Sequence, residues 1–413
     1  MGVLNNLVPE KVFYYFEELC NIPHGSKNTK AISDYCVNFA KERGLAYHQD
    51  ASNNIIILKN GSKGYEDSKP VIIQGHLDMV CEKEKDCTID FEKDGLDLAI
   101  DGDYIYAKGT TLGGDDGIAV AMALAILDDD TLEHPPIEAV FTVDEEIGLL
   151  GATALDTSSL KAKYMINLDS EEESSILVGC AGGLTAVSEL PISYESVEGV
   201  KLDVVLTGLQ GGHSGIDCVK NRTNATLLTA RMLYDLQKDC TFSVSVMDSG
   251  EKDNAIPSVS RLSLVIPEAE VDKVVKRIEG LKEIYKEEMV TSEPDFTITI
   301  TKQENNVYSC IKAESLERIL LYITYQPNGI QTMSADIPGL VESSLNLGIF
   351  NTNSERALFS YSVRSSVASY KSYMSDKLAN FTKVLGGTYH TEGEYPAWAY
   401  KHDSKLRDIF VEL

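Results

Sequence analysis

Helical and strand-like patterns of apolar residues alternate from the N-terminus to about Cys180. "KVFYYFEELCNI" and "KAISDYCVNFAKERG" place apolar residues at helical spacing, and the second ends at Gly44. "NNIIILKN", "KPVIIQGH", "IEAVFTVDEE" and "AKYMINLDSEE" read as strands, three of them ending in acids or histidine. "DGIAVAMALAILDD" is apolar nearly all round, which predicts a buried helix. Such alternation predicts an α/β fold: a mostly parallel sheet with helices on both faces. Ligands of such sheets gather at the turns that follow the strands.

Past Gly182-Gly183 the pattern changes. "LTAVSELPISY", "VKLDVVLTGLQ", "CTFSVSVMDSG", "SRLSLVIP", "DFTITITKQ" and "RALFSYSVRSS" read as longer alternating strands. The helices "NRTNATLLTARMLYDLQ" and "AEVDKVVKRIEGLKEIYKEEM" lie among them. This predicts an inserted α+β domain over 185–385, serving as lid and dimerisation domain. Residues 1–184 and 386–413 then form the first domain. At 413 residues the chain exceeds one compact core, so more than one domain is expected.

Composition narrows the function. The formal net charge of −27 repels nucleic acid and anionic lipid and tolerates cations. No apolar run reaches the roughly 18 residues of a membrane span, and no signal peptide is read at the N-terminus. The eight scattered cysteines form no C-x-x-C pair and no disulfide framework, which predicts reduced thiols and a cytoplasmic location.

Four strand-end turns carry the candidate chemistry: His76 and Asp78 in "GHLDMV", Asp115 and Asp116 in "GTTLGGDDG", Asp144 to Glu146 in "FTVDEEIGLLGA", and Asp169 in "INLDSEEE". Singly, each could be an ordinary structural histidine or a solvated turn acid. Together at one sheet edge they repel one another strongly unless cations neutralise them. Imidazole and carboxylate ligands without cysteine suit catalytic zinc or manganese, and one carboxylate can bridge two ions. A phosphate cradle at "GTTLGGDDG" is disfavoured by its two acids. A nucleophilic Ser214 in "GGHSG" fails because residue 216 is Ile rather than Gly.

"GHLDMV", "GTTLGGDDGIAVA", "TVDEEIGLLGA", "NLDSEEE…VGCAGG", "GLQGGHSG", "DNAIPS" and "IPGLVESSLNLG" together resemble the aminoacyl-histidine dipeptidases, the carnosinase-like branch of the co-catalytic zinc exopeptidases. The resemblance implies hydrolysis of dipeptides of the Xaa-His kind by a metal-activated water, and two divalent ions, zinc with manganese or cobalt as alternatives. It gives His76, Asp115 and Asp169 to the first metal, with Asp115 bridging, and Glu146 to the second. Asp78 orients His76, Glu145 is the general base, and His213 supports the oxyanion. Asn254 and Arg364 would contact the substrate backbone and carboxylate. Domain closure would assemble the site, and a homodimer through the inserted domain is left open.

One departure is expected to matter. The family's fifth ligand, a histidine in a C-terminal stretch, has no clear counterpart; His402 is nearest in sequence. The chain is therefore expected to be truncated or a fragment. Its second metal would be held weakly, and its dipeptidase activity would be small or absent. The alternatives are a non-catalytic or single-metal relative, or a deacylase or aminotripeptidase on the same fold.

Overall fold

The computed structural model describes residues 2–170 and 174–412. It divides into two compact units, Met1–Ile176 with Lys405–Leu413, and Leu177–Ser404.

The first unit holds the strands β1 (Ala46–Gln49), β2 (Ile55–Lys59), β3 (Val71–His76), β4 (Leu98–Asp101), β5 (Tyr104–Ala107), β6 (Ile137–Thr142) and β7 (Tyr164–Asn167). Its helices are α1 (Glu10–Cys20), α2 (Lys30–Glu42), α3 (Gly114–Leu127) and the short α4 (Leu150–Ala154). The main sheet runs β1-β2-β6-β3-β7. All six residues of β6 are buried, so helices and loops cover both faces at the sheet's centre. The α/β class read from the sequence holds. The strand directions are more mixed than expected: β3 runs parallel to β6 and β7, whereas β1–β2 and β2–β6 are antiparallel. The cause is local. A short turn joins β1 to β2, with Asp50 Oδ1 accepting from the amides of Ser52 and Asn54, and so short a connection can only reverse the chain.

α3 is buried on most sides, as its apolar sequence predicts. Lys59 Nζ donates to the Leu127 and Asp129 carbonyls at its C-terminus, at 2.9 and 2.8 Å. β4 and β5 form a separate hairpin.

The second unit holds β8 (Gly182–Pro191), β9 (Tyr194–Thr207), β10 (Gly212–His213), β11 (Ser243–Ser249), β12 (Ala255–Ile256), β13 (Ser260–Ile266), β14 (Thr297–Ile311), β15 (Gly329–Met333), β16 (Val341–Thr352), β17 (Arg356–Ser365) and β18 (Thr388–Tyr395). The helices are α5 (Ala225–Gln237), α6 (Val271–Glu288), α7 (Ala313–Tyr325) and α8 (Ala368–Val384). Nine of these strands make one sheet, in which the observed pairings are antiparallel. α5 starts on Asn224, whose side chain accepts from the amides of Thr226 and Leu227. Tyr322 on α7 packs on Phe359 of β17 with ring centroids 4.3 Å apart, near the middle of a large apolar core.

This unit is longer at both ends than the 185–385 expected from the sequence. β8 and β18 are neighbours in its sheet, and Cys180 bridges to Trp398, so 177–184 and 386–404 belong with it. The last helix, α9 (Lys405–Glu412), belongs to the first unit.

Candidate functional site

The parallel pairing of β3 with β6 and β7 brings the carboxyl ends of three strands to one edge. His76 ends β3 opposite Thr142, and it is buried at 1% exposure. Its Nδ1 lies 2.9 Å from the Asp78 carbonyl oxygen and 3.4 Å from Asp78 Oδ1. Its Nε2 lies 2.9 Å from Asp115 Oδ1. With Nδ1–H donating to Asp78, the neutral ring presents Nε2 as a metal ligand, a common arrangement in metal sites.

Asp78 does more than face the imidazole. Its carboxylate accepts from the Glu145 amide at 3.0 Å, the Glu146 amide at 3.4 Å and the Ser26 hydroxyl at 2.8 Å. The side chain therefore holds the Glu145-Glu146 turn by its backbone. Burial works to raise the Asp78 pKa, but the hydrogen bonds from His76, Glu145 and Ser26 hold it below the usual carboxylate value.

Asp115 and Asp116 open α3 with non-helical backbone, and the peptide between them is cis. Asp116 Oδ2 accepts from the His76 amide at 3.1 Å, and the residue is almost wholly buried. Gly75 makes room for it: a Cβ there would lie 2.7 Å from Asp116 Oδ2.

Two overlapping groups have geometry able to hold an ion, the ligand atoms of each lying within 4.8 Å of one another: His76, Asp116 and Asp169, and His76, Asp115 and Glu146. Five side chains thus converge, three from at or beyond the ends of β3, β6 and β7 and two from the head of α3. Sequence reasoning named His76, Asp115, Glu146 and Asp169 and passed over Asp116 as a ligand. It placed Asp115 between the two metals, sharing one with Asp169 and the other with Glu146; the structure groups Asp115 with Glu146 and Asp116 with Asp169. Two adjacent identical acids give a sequence no means of telling which points where.

The charges bear the mark of a cation site. Burial, then Asp169, pushes the Asp116 pKa up to about 7. Burial raises Glu145 and Glu146 as well, with Asp115 adding to the effect on Glu146. Burial opposes the charge on His76, yet Asp78, Asp116 and Asp169 outweigh it and push its pKa to about 10. Without an ion, the imidazolium supplies the missing positive charge. A divalent cation would take that place and release the proton. Imidazole nitrogen and carboxylate oxygen are fitting donors for it.

The other predicted residues lie in the second unit. β10 pairs with β12, His213 opposite Ala255, and the Ser214 amide donates to the Asn254 carbonyl at 2.8 Å. His213 Nδ1 accepts from the amides of Gly215 and Ile216, at 3.2 and 3.1 Å. An accepting Nδ1 carries no proton, so Nε2 carries the hydrogen and is a donor. Burial, then the charge of Arg364, lowers the His213 pKa and keeps the ring neutral. Arg364 on β17 is partly buried, and its Nη1 donates to Tyr395 Oη at 3.1 Å. His402 is exposed, with Nε2 3.6 Å from Asp336 Oδ1, and joins neither ligand group among the described residues.

With that geometry in hand, comparison with known proteins gives a consistent result. The chain belongs to the peptidase family M20/M25/M40, whose family model matches residues 72–412. It is 35% identical over 416 aligned positions to the cytosol non-specific dipeptidase of Escherichia coli K12, covering 100% of this chain and 85% of that protein. The crystal structure of aminoacylhistidine dipeptidase from Vibrio alginolyticus superposes with a TM-score of 0.90 at 32% identity, covering 99% of this chain and 84% of the other. The α/β fold expected from the sequence is thus the fold of this family, and the chain is a hydrolase of the metallopeptidase kind.

Proposed function

We propose that the chain hydrolyses dipeptides, Xaa-His dipeptides among them, with bound divalent metal. The observation that carries this reading is the convergence of two ligand groups on His76 with a further carboxylate beside them. That carboxylate is Glu145: it belongs to neither group, yet the charges of His76, Asp169 and Asp115 all act on its pKa. A metal store has no use for such a residue, and a general base does. The relatives named above are dipeptidases over the whole length of this chain, which weighs against a non-catalytic reading.

When bound, the metal lowers the pKa of a water and polarises the scissile carbonyl. Glu145 accepts the water's proton and passes it to the leaving amine. Its raised pKa suits both halves of that task. Asp78 fixes the position of Glu145 through the amide it accepts from. To His213 we assign donation from Nε2–H to the developing oxyanion, a role for which its tautomer and neutral charge fit it. Asn254 and Arg364 we assign to the backbone and terminal carboxylate of the substrate.

Zinc is the proposed metal, with manganese or cobalt able to replace it, because the donor set is imidazole and carboxylate. His76 is common to both groups, and one ring nitrogen serves one ion. The second ion is therefore held more weakly than the first. A cytosolic location fits the eight unpaired cysteines and the cytosolic relative, and no helix among the described residues is long and apolar enough to cross a membrane.

The test is hydrolysis of Ala-His by the metal-free chain titrated with zinc or manganese. Turnover should continue to rise beyond one equivalent of metal and vanish with chelator. A fully loaded, folded chain that releases no histidine would sink the proposal.

A further inference from the structure

Tyr395 stands in a cross-strand row of three residues. Arg364 on β17 is opposite Gly183 on β8, and Gly183 is opposite Tyr395 on β18. Directly opposed residues in a sheet point to the same face. The central member has no side chain, so the tyrosine ring lies over Gly183 and reaches the arginine two strands away. A Cβ on Gly183 would come within 2.5 Å of Tyr395 Cζ, and the phenol oxygen accepts from Arg364 Nη1 at 3.1 Å. The second glycine of "VGCAGG" is accounted for by this passage, and the first, Gly182, by the close approach of the 395–397 backbone.

A bulge sets the register. Glu392 is opposite Thr185, so a regular antiparallel ladder would bring Glu394 opposite Gly183. The pairing slips by one residue between Glu392 and Tyr395, where Gly393 adopts φ +56°, and Tyr395 takes that place instead. Glu394 points elsewhere and pairs with Lys371 Nζ at 3.2 Å. Lys371, itself 4% exposed, also donates to the Tyr395 carbonyl at 2.6 Å. The bulge thus puts a neutral phenol beside Arg364 and moves a carboxylate away.

From this geometry we infer that Tyr395 is a positioning residue for Arg364: it holds the guanidinium in place without neutralising it, leaving its charge for the carboxylate of a ligand. A carboxylate at the same place would form an ion pair with Arg364 and compete with that ligand. Arg364 Nε, buried and without a hydrogen-bond partner among the described residues, adds donor capacity that the fold leaves unused. The inference rests on the proposed role of Arg364 and adds the residues that make the role possible.

The test uses the full, zinc-loaded chain and a pair of probes: Ala-His with its peptide bond reduced to CH2–NH, and the C-terminal amide of the same compound. Calorimetry gives the ratio of the two dissociation constants. The parent should prefer the carboxylate form, and Arg364→Ala should abolish the preference. Tyr395→Phe should cut it about three- to tenfold, the worth of one hydrogen bond, with melting temperature and zinc content unchanged. Tyr395→Glu should cut it further. Gly183→Ala should behave like Tyr395→Phe, and if it does not fold, Tyr395→Phe decides. A preference lost in Arg364→Ala but intact in Tyr395→Phe would overturn this inference and leave the arginine's role standing. A preference absent from the parent, or intact in Arg364→Ala, would overturn both.

Discussion

The two units hold their titratable groups in different surroundings. At the strand ends of the first, Asp116, Glu145 and Glu146 all have raised pKa values, because burial and neighbouring acids disfavour their charged forms. At His213 in the second, burial and then the charge of Arg364 lower the pKa of the imidazole, against the pull of Asp217, whose carboxylate accepts from the His213 amide at 2.8 Å. The first arrangement suits a cation, and the second leaves a neutral imidazole beside an arginine. Backbone donors serve different ends in the two. In the first they fix acids in place, as the Glu145 and Glu146 amides do on Asp78. In the second they fix a tautomer, as the Gly215 and Ile216 amides do on His213.

The largest effect should come from breaking the acid cluster. Asp115→Ala removes the carboxylate 2.9 Å from His76 Nε2 and leaves Glu146 with only His76 in its ligand group. Metal per chain, read by elemental analysis, should fall, and kcat should drop by ~10⁴-fold, several kcal/mol of metal assistance. Unchanged metal content in this variant would mean that the ions sit elsewhere. Next comes Glu145→Gln. It keeps the shape of the turn and both ligand groups, so metal content should stay as in the parent while kcat falls by about 10²–10⁴-fold. If metal is lost as well, Glu145 is a ligand and not the base.

The contrast between the units is sharpened by His213→Ala. The residue belongs to neither ligand group, so metal binding should be unaffected. The rate should fall by about 10²–10³-fold, as when an oxyanion donor is removed. Equal loss of metal and rate would erase the distinction drawn here between a cation site and a donor site.

Much of the first unit was legible because its chemistry sits where its hydrophobic pattern stops. Val71 to Ile73 declare a strand, and His76 and Asp78 stand at and just after its end. The same holds for Phe141 before Glu145. What escaped was anything decided by register or by which of two like residues turns inward. Asp116 groups with Asp169 and Asp115 with Glu146, a division made by the backbone at the head of α3. The β4–β5 hairpin carries an Asp101-Gly102 turn signal in "LAIDGDYIYA", but its strands are largely exposed and lack a clear apolar period. β18 reads as polar, "TYHTEGEY", so neither the strand nor its bulge could be seen, and the second unit's boundary was drawn short. Ser26 was missed for a different reason: a hydroxyl that acts by touching another side chain is recognisable only when the two meet in space.

Ser26→Ala offers the smallest effect and the finest discrimination. The hydroxyl donates to Asp78 Oδ2 at 2.8 Å, and the only other described donor to that oxygen is the Glu146 amide, at 3.4 Å. Asp78 is 1% exposed, so solvent has little access to replace the lost bond. The Asp78 carboxylate should then sit less firmly, and with it the imidazole it faces and the Glu145-Glu146 turn it holds. Outer partners of metal ligands typically affect affinity or activity by 10–100-fold, and a single hydroxyl should be near the low end, about tenfold. The decisive reading is where the loss appears. If Asp78 acts mainly on His76, metal affinity falls and saturating metal restores the rate. If it acts mainly on the Glu145 turn, metal affinity holds and kcat stays low at any metal concentration. The hydrogen bond to the Glu145 amide, shorter at 3.0 Å than the 3.4 Å approach to His76 Nδ1, favours the second outcome.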